Sequence, residues 1–312
     1  MKRALFRTAQ FTGLVLIYVL LFIVGTRLFP VNIGGPPDPS RAVAQLVGLI
    51  LCGVFDTALL GWWAAGTRLR GWRRWAALAT AFYGTKTFSS QLEALWFMPN
   101  VTGSMAPALF AMTLPLCLIF PAVVVTAFGA KEPVAGPAWR APRANRGVVA
   151  GCWAVLSALV YPALFWGAGY FIAYRSAAVR AFYGGFKGDT LLSHFAAVFA
   201  ADPWVVPFEI FRGLLWILLV LPLIRTSRRH WLLDALLVGA FLALVQNDLH
   251  LLPNRLMSPE IRLYHFIETT TSNFVWGFAM VAVLRGWLEH REGAVTGPRD
   301  VGAQLPPAAI RA

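Results

Sequence analysis

Residues 204–224 read WVVPFEIFRGLLWILLVLPLI, and RTSRR follows at 225–229. The first stretch is long enough to cross a hydrocarbon core, which takes about 20 mostly apolar residues in a helix. The second is the basic flank that such helices carry on their cytoplasmic side. Glu209 and Arg212 stand inside the apolar stretch, three positions apart. That spacing puts them on one helix face and predicts a buried ion pair locking two helices.

The same pattern recurs along the chain. Windows at 10–29, 43–65, 75–97, 105–128, 148–173, 204–224, 231–252 and 264–287 qualify as spans. The predicted fold is an all-α polytopic membrane helix bundle with eight transmembrane helices. The 312-residue composition agrees, with 58% hydrophobic and 13% charged residues and a mean hydropathy of +0.63. A soluble domain carries about a quarter charged residues, so an ordinary globule is excluded, as are a disordered chain and a disulfide scaffold. Cys52, Cys117 and Cys152 all fall in apolar stretches without paired spacing and read as core residues. The 10–29 window follows Met1-Lys2-Arg3 with no small-residue cleavage site after it, which predicts an uncleaved anchor. The 75–97 and 264–287 windows are the most polar.

The net charge of +13 finds its explanation in topology. With eight spans, one set of loops and ends holds eighteen Lys and Arg and the opposite set holds seven. This bias predicts that both termini lie in the cytoplasm. The lipid bilayer is thus the predicted partner, and nucleic acid is not. An Arg-, Ala- and Gly-rich usage with only four lysines suggests a GC-rich bacterial genome and hence an inner (plasma) membrane. No feature of the sequence sets an oligomeric state.

The predicted organisation is a first four-helix half at 1–128, a Pro/Arg-rich cytoplasmic linker at 129–147, a second half at 148–287 and a disordered tail at 288–312. The halves share a weak echo: Gln91 and Glu93 precede Pro99-Asn100, and Gln246 and Asp248 precede Pro253-Asn254. A parallel 4+4 duplication would produce it. The long 174–203 connection has Leu191, Leu192, Phe195, Val198 and Phe199 at helical spacing, predicting a short helix lying in the interface.

Ionisable groups inside spans are costly and mark functional sites by default. Here they are Asp56, Lys86, Glu93, Glu209, Arg212, Asp234, Asp248, His250, His265 and Glu268. Asp234 sits in the first turn of its helix, where the dipole favours an acid. His250 reads as an interfacial residue. Asp56, alone in mid-span, suits an interhelical hydrogen bond as well as a proton site. In the last span His265, Glu268, Thr269 and Ser272 share one face, which must look into the bundle or a wet cavity. Lys86, Ser89, Ser90 and Glu93 make a second stripe. The predicted substrate- or ion-binding set is Glu93, Asp248, His265 and Glu268, with Gln91 and Asn273 as hydrogen-bonding support. The carboxylates are expected to converge on one cavity in the outer leaflet.

Three activities could use such a set: transport of a small molecule, ion or proton, metal-dependent intramembrane hydrolysis, or a non-catalytic subunit or assembly role. The sequence contains no His-Glu-x-x-His, no Gly-x-Ser-x-Gly, no adjacent Glu-Glu pair and no phosphate-cradling Gly-rich loop. It therefore calls for no cofactor or metal, and a transporter-like protein is the leading expectation over an enzyme.

Overall fold

In lipid, a chain must satisfy its backbone hydrogen bonds within its own helices, and that is the conformation adopted. The computed structural model describes residues 2–31, 39–129, 146–184 and 188–287. Among them there is no β-strand, only one isolated bridge between Thr67 and Ser227. The expected linker, except its ends, and the expected tail lie outside the described residues.

The chain runs up α1 (Lys2–Leu28) and down α2 (Ala42–Gly66). It rises again through α3 (Gly71–Tyr83), a wider π-helical turn at Gly84–Ser89 and α4 (Ser90–Phe97), and returns through α5 (Ala106–Ala111) and α6 (Leu114–Phe128). The second half rises through α7 (Arg146–Val155), a π turn at Leu156–Val160 and α8 (Tyr161–Phe171). Two short helices follow, α9 (Ala177–Phe182) and α10 (Leu191–Ala201), before the long α11 (Val205–Thr226). Next come α12 (Trp231–Ala240), a π turn at Phe241–Val245 and a 3-10 turn at Asp248–Leu251. The last described column is α13 (Pro259–Val281), ending in a π turn at Ala282–Trp287.

Among the described residues, five helices are long and apolar enough to cross a membrane: Leu5–Leu28, Pro39–Gly66, Gly103–Phe128, Gly147–Arg175 and Val205–Thr226. The remaining windows, at 75–97, 231–252 and 264–287, are also helical but stand outside that set. The first and last carry the Lys86/Glu93 and His265/Glu268 charges, and the apolar part of the middle one, Trp231–Val245, is short. Large apolar side chains such as Leu16, Leu20, Ile119, Leu159, Leu218 and Val275 are exposed around the outside. A water-soluble protein does not tolerate that belt, whereas a helical membrane bundle requires it. Inside, Trp63, Trp216, Trp276, Tyr18, Phe82 and Phe120 are fully buried in one continuous core.

Lipid chains are as apolar as leucine, so helices in a bilayer associate by close packing at small residues. One close crossing joins α12 and α13. A Cβ on Gly277 would lie 2.8 Å from Gly239 Cα and 2.9 Å from Val238 O, both backbone atoms that cannot step aside. Gly277→Val is therefore expected to force the two helices apart at a cost of about 1–3 kcal/mol. A drop in thermal unfolding midpoint in detergent reads this out, and an unchanged midpoint would contradict the crossing.

The short helix expected within 174–203 is α10. Thr190 caps it, accepting from the Ser193 amide at 3.1 Å, while Ser193 Oγ accepts from the Thr190 amide at 3.0 Å. Leu192 and Phe199 face outward and His194 is buried, the amphipathic arrangement its sequence spacing implied.

Candidate functional site

Two buried charge clusters follow one another along the bundle, and the elements that build them depart from regular α-geometry. Lys86 sits in the π turn at Gly84–Ser89, and Asp248 opens the 3-10 turn after Asn247. Lys86 Nζ donates to both Asp248 carboxylate oxygens at 2.7 Å and lies 2.9 Å from Asp56 Oδ2, with all three side chains 0% exposed. The ammonium also lies 5.5 Å from the Tyr18 ring centre and 5.7 Å from that of Phe82. Cys52 Sγ donates to the Asp248 carbonyl at 3.4 Å. This cluster ties α2, the π turn and the end of the seventh column together.

About two turns further on, Glu93 opens the second cluster. Arg212 Nη1 donates to Glu209 Oε1 and Oε2 at 2.8 and 3.0 Å, and its Nη2 donates to Glu93 Oε2 at 2.6 Å. The guanidinium is also framed by the rings of Tyr161, Phe165 and Phe208 at 5.6–5.8 Å. Gln246 Nε2 donates to the same Glu93 oxygen at 3.2 Å, and Asn273 Nδ2 donates to Gln246 Oε1 at 3.2 Å. On α13, His265 Nδ1 meets Glu268 Oε2 at 3.0 Å. The helix face read from the sequence is satisfied locally: Thr269 Oγ1 donates to the His265 carbonyl and Ser272 Oγ to the Glu268 carbonyl.

These groups border two cavities that share Glu93, His265 and Tyr183 in their walls. One, of about 240 Å³, is lined by Gln91, Asn247, His250 and Thr269 among others. The other, of about 540 Å³, is lined by Trp96, Phe165, Trp166, Asp202 and Glu268 among others. A void of about 10 Å³, the size of one water, lies between Arg212, Glu93 and Glu268. The α9 connection covers the junction: the Tyr183 ring packs edge-on against His265 at 5.3 Å, and His250 stacks on His265 at 6.0 Å. Burial, and then the Glu93 and Glu268 charges, hold the Tyr183 phenol well above its usual range, so it presents a neutral hydroxyl.

The structure thus brings Glu93, His265, Glu268 and Gln91 to the cavity walls, with Asn273 behind Glu93 through Gln246. It does not bring Asp248 there. Two residues along a helix are turned by about 200°, so Gln246 faces Glu93 while Asp248 turns into the core toward Lys86. The Glu209–Arg212 pair forms as its spacing implied but gains Glu93 as a third member. Asp56 is not alone, since Lys86 reaches it. His250 is a cavity residue against His265, not an isolated interfacial one. Asp234 does more than complement a helix dipole: Ser227 Oγ donates to it at 2.7 Å and Arg285 pairs with it, closing the end of the bundle opposite the cavities.

The aromatic walls were not legible as site residues, because tryptophan and phenylalanine are everywhere in this chain. A lone lysine in a span shared with Glu93 was the available signal for the Lys86 cluster. Comparison with known proteins returns no match: no family model, no curated protein and no solved structure aligns with this chain.

Proposed function

We propose that this chain is a transporter-like, eight-span protein of a bacterial inner membrane, both termini cytoplasmic, with its substrate or ion site in the double cavity around Glu93, His265 and Glu268. One observation carries the reading. Two carboxylates and an imidazole on columns from both halves border adjacent cavities of about 240 and 540 Å³, the larger of them within the size range of small-molecule sites. Gln91 and Asn273 support the polar wall. Asp248 stands outside the site, turned toward Lys86, while the same segment presents Gln246 to Glu93.

The halves are read as parallel 4+4 repeats, and their contacts support this. Arg68 N donates to the Thr226 carbonyl at 2.9 Å and Arg228 N to the Gly66 carbonyl at 3.3 Å, a reciprocal exchange between the turns after α2 and α11. The columns that follow each turn both break into a π turn, at Gly84–Ser89 and Phe241–Val245. Packing is reciprocal too: α2 contacts the seventh column as α11 contacts the third.

The metal-dependent hydrolase reading lacks its donor set, since no group of three or more His, Cys, Asp and Glu among the described residues is placed to hold a metal. A purely structural role is favoured by the buried ion pairs that engage Lys86 and Arg212. Glu268→Gln separates the two remaining readings. In proteoliposomes, uptake of a panel of cationic, anionic and neutral solutes is measured for both proteins. A transporter loses flux of at least one class by about tenfold or more on neutralising Glu268, with its melting temperature little changed. Equal rates for every class, wild type against variant, would sink the transport reading.

A further inference from the structure

The chemistry of the cavity walls narrows what they would accept. Among the described residues, both cavities are bordered by carboxylates and imidazoles and by no lysine or arginine. The larger one has Glu93, Asp202 and Glu268 in its wall. Arg212, which stands behind them, already has its two Nη groups on Glu209 and Glu93. Three carboxylates thus stand in the wall of the larger cavity, and in a water-poor bundle they attract a cation and repel an anion. Asp202 has further partners, accepting from Trp96 Nε1 at 2.9 Å and from the Trp204 amide at 3.0 Å.

The rest of the wall decides which kind of cation. Trp96, Phe97, Phe165, Trp166, Phe182 and Tyr183 all border the 540 Å³ space. A small inorganic ion gives up its hydration shell only for a cage of oxygen ligands, which these rings do not supply. A weakly hydrated organic ammonium gains from ring faces, with Trp the strongest, and its apolar substituent fits the same wall. One further feature suits a polar ligand head. His265 Nδ1 is engaged with Glu268, and the buried His265 Nε2 has no hydrogen-bond partner among the described residues, a polar group left open to a ligand.

We propose that the larger cavity binds an organic amine in its ammonium form, with Glu93 and Glu268 compensating the charge and the aromatic wall holding the substituent. This names the substrate class for the site of the transporter reading and rests on that reading's choice of site. The amine can come from the water or from the lipid phase, as a free arylalkylamine or as a single-chain amphiphile.

The test is calorimetric titration of the full chain in lipid nanodiscs with a series matched in size. Phenethylammonium, 2-phenylethanol and 3-phenylpropanoate share the phenethyl group and carry a positive, a neutral and a negative head, and dodecylammonium represents the lipid-borne source. Saturable binding of phenethylammonium is expected, about tenfold or more tighter than the alcohol, with no binding of the carboxylate. Glu268→Gln should weaken it by about tenfold. Phe182→Leu, which leaves every ion pair intact, should weaken it a few-fold without moving the melting temperature. Tighter binding of dodecylammonium assigns the amine to the lipid phase, and tighter binding of phenethylammonium assigns it to the water phase. Binding of the alcohol or carboxylate at equal strength, or no saturable ammonium binding, overturns the proposal. Ammonium binding without flux in proteoliposomes upholds it and overturns the transporter reading. Flux of an anion or neutral solute without ammonium binding does the reverse.

Discussion

Lys86→Met is expected to destabilise this protein more than any single change at the cavity, by about 3–5 kcal/mol. The lysine is 0% exposed and holds Asp248 at 2.7 Å and Asp56 at 2.9 Å. Each contact contributes roughly 6 kcal/mol at an effective dielectric of 20, while removing each of three ions from water costs several kcal/mol. The cluster as a whole thus comes close to break-even. The balance fails when only the cation is removed, because two carboxylates then face each other with no ammonium between them. Methionine fills similar space, so the loss is electrostatic and not a cavity effect. The control follows from the same arithmetic. Asp56→Leu with Lys86→Met and Asp248→Leu removes all three charges and should recover much of the stability lost in the single variant. Unfolding midpoints of the two proteins in detergent measure the difference. A triple variant less stable than Lys86→Met would mean that packing around Tyr18 and Cys52, not charge, fixes this region.

The apolar columns were legible because a helix in lipid must be about 20 residues long and is punctuated by basic loops. The local charge pairs were legible for a similar reason. Glu209 and Arg212, and His265 and Glu268, lie three apart and meet on one face whatever the tertiary fold. What the sequence withheld are contacts that need two columns at once. Glu93 joins Arg212 across 119 positions and Lys86 joins Asp248 across 162, and no periodicity encodes either. The π turns at Gly84–Ser89 and Phe241–Val245 are equally hidden, since neither segment has a proline to force the break. The Asp248 expectation could have been refined. With Gln246 two positions away, helical geometry allows only one of the pair to face Glu93.

Arg212→Leu is the second large effect, and here the partners can be ranked. Removing the guanidinium leaves Glu209, whose side chain is 0% exposed, beside Glu93, whose side chain is 26% exposed into the cavity region. Glu93 keeps access to water and still accepts from Gln246, so it tolerates the loss. Glu209 has neither relief, because among the described residues both hydrogen bonds to its carboxylate come from Arg212. A loss of about 3–5 kcal/mol is expected for the single variant. Adding Glu209→Leu should restore most of it, whereas adding Glu93→Gln should restore little. Melting curves of the wild type, Arg212→Leu, Glu209→Leu and the doubly substituted protein close a double-mutant cycle that isolates the Arg212–Glu209 coupling. The Arg212→Leu, Glu209→Leu protein is also informative at the site. It frees Glu93 from its arginine while leaving the cavity wall in place, so ammonium affinity in nanodiscs should rise a few-fold above wild type. A fall in affinity in that stable background would show that Arg212 positions Glu93 for the ligand, and does not merely compete with it.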